Sequence, residues 1–168
     1  FQRRLTTAAP GFDARVRALE SELGGVREGE IGFLADLVAR DVASLQELLA
    51  SIDPTALATA ADLLEAADTV YLVGQLRSAP VVELLRYVLT MLGKRTVLLD
   101  ASGGLATHMA RVVRTADALV VVSFRFYATE VVNVAEETAA RGVPILAITD
   151  STLSPYAKLA RVLFAVPE

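Results

Sequence analysis

The residues of this chain with chemistry to offer are loop hydroxyls and two arginines. Ser78, Ser102, Ser123, Thr129, Ser151, Thr152 and Ser154 each follow a short apolar run, with Arg77 and Arg125 beside two of them. Hydroxyls donate and accept hydrogen bonds, and guanidinium groups form paired bonds to phosphate or carboxylate. Where such a loop opens a helix, backbone N–H groups without intrahelical partners and the helix dipole add positive potential, which suits an anion. The pattern fits a polyol phosphate. Ser and Thr are also common caps and turn residues, so the hydroxyls alone leave a purely structural reading open.

The chain of 168 residues has no Cys and one His, which excludes disulfides and cysteine nucleophiles and argues against a zinc site. No metal and no cofactor are expected. Isomerisation of a sugar would need a general base, usually His or Glu. The one His, His108, falls in an expected helix between Leu105 and Val112 and reads as a surface or packing residue. Glu130 opens the helix after the third strand and is the best carboxylate candidate, although a first-turn Glu also complements the helix dipole. The net charge of −4 argues against nucleic-acid binding by this chain itself. Gln2-Arg3-Arg4 is too short a basic patch to change that.

Elements to position these residues follow from the hydrophobic rhythm. Residues 1–67 read as helical: Phe12, Val16, Leu19 and Leu23 give one stripe, Ile31 through Leu49 a longer one, and Asp53-Pro54 caps and opens a third helix. From residue 68 short apolar runs alternate with helices. Expected strands cover 70–73, 96–99, 118–123, 143–149 and 162–166, with Gly93 and Gly142 ending helices between them and a further helix over about 105–113. Gly74 ends the first strand, Ser78 is the expected N-cap of the next helix, and Val81 to Leu92 form its apolar face. These elements imply an α/β fold, a five-stranded, mostly parallel, flavodoxin-like doubly wound sheet of order 2-1-3-4-5, with a helical segment before it. The hydroxyl-bearing loops then converge at the carboxyl edge of the sheet, where such folds bind ligands. Although 54% of residues are hydrophobic, no apolar run approaches the roughly 18 to 20 residues that cross a bilayer, and no export signal follows Phe1. The expectation is a soluble, cytoplasmic piece of a longer protein.

From Val70 onward the chain resembles the sugar isomerase (SIS) domain. The family's first loop, Gly-x-x-x-Ser, is matched by Gly74 to Ser78, and the Ser ending its third strand by Ser123; ITDSTLSPYAKLARVLFAVP resembles its fourth loop and last strand. GQLRSAP and SFRFYATEVV are further similar to the RpiR-type bacterial transcriptional regulators, in which a helix-turn-helix domain precedes the SIS domain. The resemblance implies a phosphosugar sensor of a regulator of sugar metabolism and not an enzyme, with residues 1–67 a helical linker and tail of a DNA-binding domain and residues 68–168 the ligand-binding domain. An aldose-ketose sugar phosphate isomerase is the alternative. The implied ligand residues are Gly74, Gln75, Arg77, Ser78, Ser102, Ser123, Arg125, Tyr127, Thr129, Ser151 and Ser154. The implied partners are a sugar phosphate or related anion, DNA through the preceding domain, and a second copy or three further copies of the chain, with no membrane. The sequence departs from the family where Leu76 replaces a Gly often present, Arg125 and Phe126 stand in place of a Ser and a Gly, and Ala128 replaces a hydroxyl residue. Either Arg77 and Arg125 take over from backbone donors, or the ligand is not a sugar phosphate.

Overall fold

In the computed structural model, residues 29–99 and 105–166 are described. The expected stripe at Phe12 to Leu23 lies outside them, as does Ser102. The chain divides into two compact units, Phe1–Ser51 and Ile52–Glu168. In the first, a single helix is described, α1 (Gly29–Ser51), which leaves Ile31, Phe33, Leu34, Leu37, Leu45 and Leu49 exposed.

The second unit opens with α2 (Pro54–Ala66). Its start is set locally: Pro54 lacks the N–H that would go unpaired there, and the Asp53 carboxylate accepts from Thr55 N at 3.0 Å and Ala56 N at 3.3 Å. Strand and helix then alternate through β1 (Val70–Val73), α3 (Ala79–Met91), β2 (Thr96–Leu98), α4 (Ala106–Ala110), β3 (Ala118–Val122), α5 (Thr129–Ala140), β4 (Ile145–Thr149) and β5 (Val162–Ala165). The sheet order is β2-β1-β3-β4-β5 and every pairing is parallel, as the alternation of elements predicts.

Strand residues supply two cores by turns, because successive side chains point to opposite faces. Val73, Leu119, Val121, Ile145 and Ala147 pack with Ala106 and Ala110 of α4 and Val131, Val134 and Ala135 of α5. Val70, Leu72, Ala118, Val120, Val122 and Leu146 pack on the other face with Ala60 and Leu63 of α2 and Val82 of α3. Both faces of the sheet are therefore covered, which explains why β3 is apolar at every position. Chain reversals after α3 and α5 use Gly93 and Gly142 at φ +82° and +77°.

Two expectations are corrected. The helix expected over about 105–113 is only five residues long: Arg111, Val112 and Val113 N donate to the carbonyls three residues back and not four, and Arg114 N then donates to the buried Asp117 carboxylate at 2.8 Å in the turn before β3. Ser78 occupies the N-cap position of α3 but does not cap it. A turn of 3-10 helix over Leu76–Ser78 runs straight into α3, so Ser78 already has right-handed helical angles (φ −83°, ψ −16°) and its side chain makes no cap bond. Capping needs extended angles.

Candidate functional site

The carboxyl ends of β1 and β3, adjacent strands whose crossovers leave in opposite directions, open a cleft of about 230 Å³. It is lined by the turn after β1 (Gln75, Leu76, Arg77 and Ser78) and the loop after β3 (Ser123, Phe124, Arg125, Phe126 and Ala128). Five of the residues singled out in the sequence therefore meet here: Gln75, Arg77, Ser78, Ser123 and Arg125. Ser78 and Ser123 are 3% and 5% exposed and line the buried side of the cleft. The first turn of α3 begins at the same place, but Ser78 N and Ala79 N already donate to the carbonyls of Gln75 and Leu76 in the preceding 3-10 turn and Pro80 has no N–H.

Gly74 acts from behind the cleft. A Cβ on it would lie 2.9 Å from the carbonyl oxygen of Val122 and 2.9 Å from Val82 Cγ1, so only glycine lets the turn after β1 press against β3 and α3. Arg77 lies over the Phe124 ring, 5.7 Å from its centroid, and Nη2 reaches the carbonyl of Arg125 at 3.5 Å. This contact ties the two lips together. Gln75 Nε2 donates to Glu130 Oε2 at 2.7 Å, a second tie between the turn after β1 and α5.

Asp150, at the end of β4, holds the far lip. Its carboxylate accepts from Arg125 N at 3.1 Å, from the Tyr127 hydroxyl at 2.8 Å and from Thr149 Oγ1 at 3.2 Å. Burial would raise its pKa, but the bonds from Tyr127, Thr149 and the backbone outweigh burial and hold it below the usual 3.8. Tyr127 in turn meets Tyr156 edge-on, with ring centroids 5.8 Å apart. Tyr156 is fully buried, and burial pushes its pKa up, although the nearby Ser123 hydroxyl pulls in the opposite direction. The buried Ser154 hydroxyl completes no hydrogen bond with the protein, and that of Tyr156 has only the Ser123 hydroxyl nearby, without good bonding geometry.

The remaining residues singled out lie apart from the cleft lining. Thr129 is exposed at the start of α5, and Ser151 Oγ accepts from Leu153 N at 3.1 Å, a turn-forming role. Tyr127 serves Asp150. His108 is exposed on α4. Among the described residues no cluster of His, Asp or Glu is arranged to hold a metal.

Two lining residues have a backbone that their side chains do not favour. Leu76 and Phe126 sit at φ +54° and +68°, the left-handed region where a Cβ costs about 1 to 2 kcal/mol. Asp150, Phe124, Leu76 and Phe126 were not read from the sequence as site residues. A signal for Asp150 is its place at the end of the fourth strand, level with the other ligand loops.

The fold, the parallel order and the cleft at the switch point define an SIS-type domain, and the SIS family model matches residues 63–168. The chain belongs to that family. Among solved structures, the sugar isomerase domain of an RpiR transcription factor from Sphaerobacter thermophilus is 32% identical, with a TM-score of 0.75 over 79% of this chain and 74% of that one. The Vibrio vulnificus NanR protein complexed with ManNAc-6P is 24% identical, with a TM-score of 0.73 over 90% of this chain and 55% of that one, about half its length. A Methanococcus jannaschii protein inferred to be a 3-hexulose-6-phosphate isomerase shares the fold at 17% identity and a TM-score of 0.64, over 78% and 71% of the two chains. No curated protein matches the chain. No helix among the described residues is long and apolar enough to cross a membrane.

Proposed function

We propose that this chain is the ligand-sensing part of a cytoplasmic, DNA-binding transcriptional regulator of sugar metabolism, and that its effector is a sugar phosphate held in the cleft between β1 and β3. The observation that carries this reading is the pair Ser78 and Ser123. Both are buried and line a cleft at the first turn of α3, and Ser78, the residue best suited to cap that helix, leaves its hydroxyl out of the cap. A phosphate there would accept bonds from these hydroxyls and from a guanidinium at the lip. The likeness to the RpiR sugar isomerase domain and to a regulator complexed with ManNAc-6P supports the same assignment. DNA contact belongs to a separate domain preceding residue 1 in this reading, in keeping with the chain's negative charge.

Sensing is favoured over isomerisation because acid-base groups are scarce in the cleft. Glu130 is bonded to the Gln75 amide, and His108 is exposed on α4 outside the cleft lining. The isomerase reading keeps one supporting feature, a carboxylate at the edge of the cleft. The two part company under NMR observation of fructose 6-phosphate and of hexulose 6-phosphates with the protein. The sensor binds without converting them, whereas interconversion at about 1 per second or faster would mark an enzyme.

The protein works as a homodimer or homotetramer in this reading. Leu84, Tyr87, Val88, Met91 and Leu92 form an exposed apolar face along and just beyond α3, in addition to the α1 stripe. Patches of this kind mark association surfaces, and regulators of palindromic operators are two-fold symmetric.

A further inference from the structure

We propose that Tyr156 is a positioning residue of the cleft: a ligand anion draws the Ser123 proton to itself, and the Ser123 oxygen then accepts from the Tyr156 hydroxyl. The proposal rests on the phosphate-binding reading above and adds a group behind the cleft that holds Ser123 to its task.

Among the described residues, Tyr156 is the largest side chain buried completely. It stands on the 3-10 turn Pro155–Lys158, after β4, and belongs to the core that holds Val121, Ile145 and Ala147. The Tyr127 ring meets it edge-on at 5.8 Å, so the phenol has little room to turn away. Phe would fill the same space with no oxygen to satisfy, and folding therefore gains nothing from the hydroxyl. Buried hydroxyls in native structures are generally paired. The Tyr127 hydroxyl already donates to Asp150 Oδ1 at 2.8 Å, and the buried Ser154 hydroxyl forms no bond with Tyr156. Ser123 remains, close by but short of a well-formed bond.

Ser123 serves two sides, because it also lines the cleft. Its backbone is anchored to β4, with Ser123 N donating to Ile148 O at 3.1 Å, so only the side chain is free to turn. A serine hydroxyl offers one proton and two lone pairs. With no anion in the cleft, nothing there fixes the direction of the proton. An anion accepts it, which sets the hydroxyl and leaves the lone pairs to Tyr156. Burial pushes the Tyr156 pKa up, so the phenol keeps the proton it donates. Each bond then strengthens the other, since a hydroxyl that accepts is a better donor. Tyr156 thereby adds to affinity without touching the ligand.

Glucose 6-phosphate, mannose 6-phosphate and their 2-acetamido counterparts are titrated calorimetrically into the parent, Tyr156→Phe, Ser123→Ala and the double variant. Each compound that binds the parent should bind Tyr156→Phe about three- to tenfold more weakly, with the unliganded Tm no lower. In the Ser123→Ala background the same substitution should change affinity less than about twofold, because the phenol then has nothing to support. The second readout is NMR of protein isotopically labelled at tyrosine Cζ. Of the resonances from the four tyrosines, the one missing in Tyr156→Phe should shift when the parent is saturated with ligand. Parent-like binding by Tyr156→Phe, an equal loss in both backgrounds or an unmoved resonance overturns the positioning role and leaves the phosphate site standing. A Tm several degrees lower in unliganded Tyr156→Phe would mean that the bond is made before the ligand arrives, and overturns its dependence on the anion. Where Ser123→Ala binds too weakly to titrate, the single variant and the resonance decide. Absence of binding by all four compounds at millimolar concentration overturns the phosphate reading and the role of Tyr156 with it.

Discussion

Replacing Asp150 by Asn should loosen the far lip of the cleft and lower the stability of the domain in a pH-dependent way. The carboxylate accepts three hydrogen bonds, from Arg125 N, Tyr127 Oη and Thr149 Oγ1. Asn keeps one acceptor oxygen, which Tyr127 and Thr149 can share, but turns an NH₂ towards the Arg125 N–H. Two donors then face each other. A hydrogen bond to a charged group is worth roughly 1.5 to 3 kcal/mol, and Asp150 is only partly buried, so the net loss should be about 1 to 2 kcal/mol. For a domain of roughly 120 residues that is a fall in Tm of about 4 to 8 °C. The native pKa of Asp150 lies below its ordinary value, so its contribution is complete above about pH 5 and fades as pH drops through 3.8 and below. Thermal scans of parent and Asp150→Asn from pH 7 to pH 3 should show a constant gap down to about pH 5 that closes towards pH 3. A variant that melts with the parent at pH 7, or a gap that persists unchanged at pH 3, would refute the assignment of Asp150 as the latch of this loop.

Other outcomes follow from the same geometry. Gly74→Ala should cost about 1 to 3 kcal/mol by overpacking, since its Cβ meets the Val122 carbonyl and Val82 at once; an unchanged urea midpoint would contradict that. Tyr156→Phe should leave Tm unchanged or raise it, because the buried hydroxyl has only the nearby Ser123 hydroxyl beside it and no bond of good geometry, and a fall of several degrees would show that Ser123 bonds it after all. Ser78→Ala should cost well under the roughly 1 kcal/mol of a lost cap, in keeping with its helical backbone angles, as read by chemical denaturation. Leu84→Glu with Met91→Glu should shift sedimentation at micromolar concentration towards monomer, and a parent already monomeric there would remove the association face.

What was legible in the sequence was what is decided locally or by simple periodicity. Asp53-Pro54 announced α2 because a cap needs only the next three residues, and the unbroken apolar run at Ala118 to Val122 announced a strand covered on both faces. Ser78 misled for an instructive reason. Its type and place before Pro80 fit a cap, but the 3-10 turn before it rotates the backbone into helical angles that forbid one, and that turn depends on Leu76 accepting a positive φ. The ties of the site were not legible at all. Gln75 to Glu130 spans 55 residues and Arg125 to Asp150 spans 25, so neither leaves a local pattern. The convergence of Ser78 and Ser123 was legible because parallel topology sends the carboxyl ends of neighbouring strands to one edge.

The most direct test of the central claim is calorimetric titration of the hexose 6-phosphates and their 2-acetamido counterparts into the parent, Ser78→Ala, Ser123→Ala and Arg77→Gln. The parent should bind, each serine variant should bind about tenfold to a hundredfold more weakly while remaining folded, and Arg77→Gln should weaken binding of every phosphorylated compound. Binding by all three variants as tight as that of the parent would contradict the claim, and would place the ligand away from the cleft between β1 and β3.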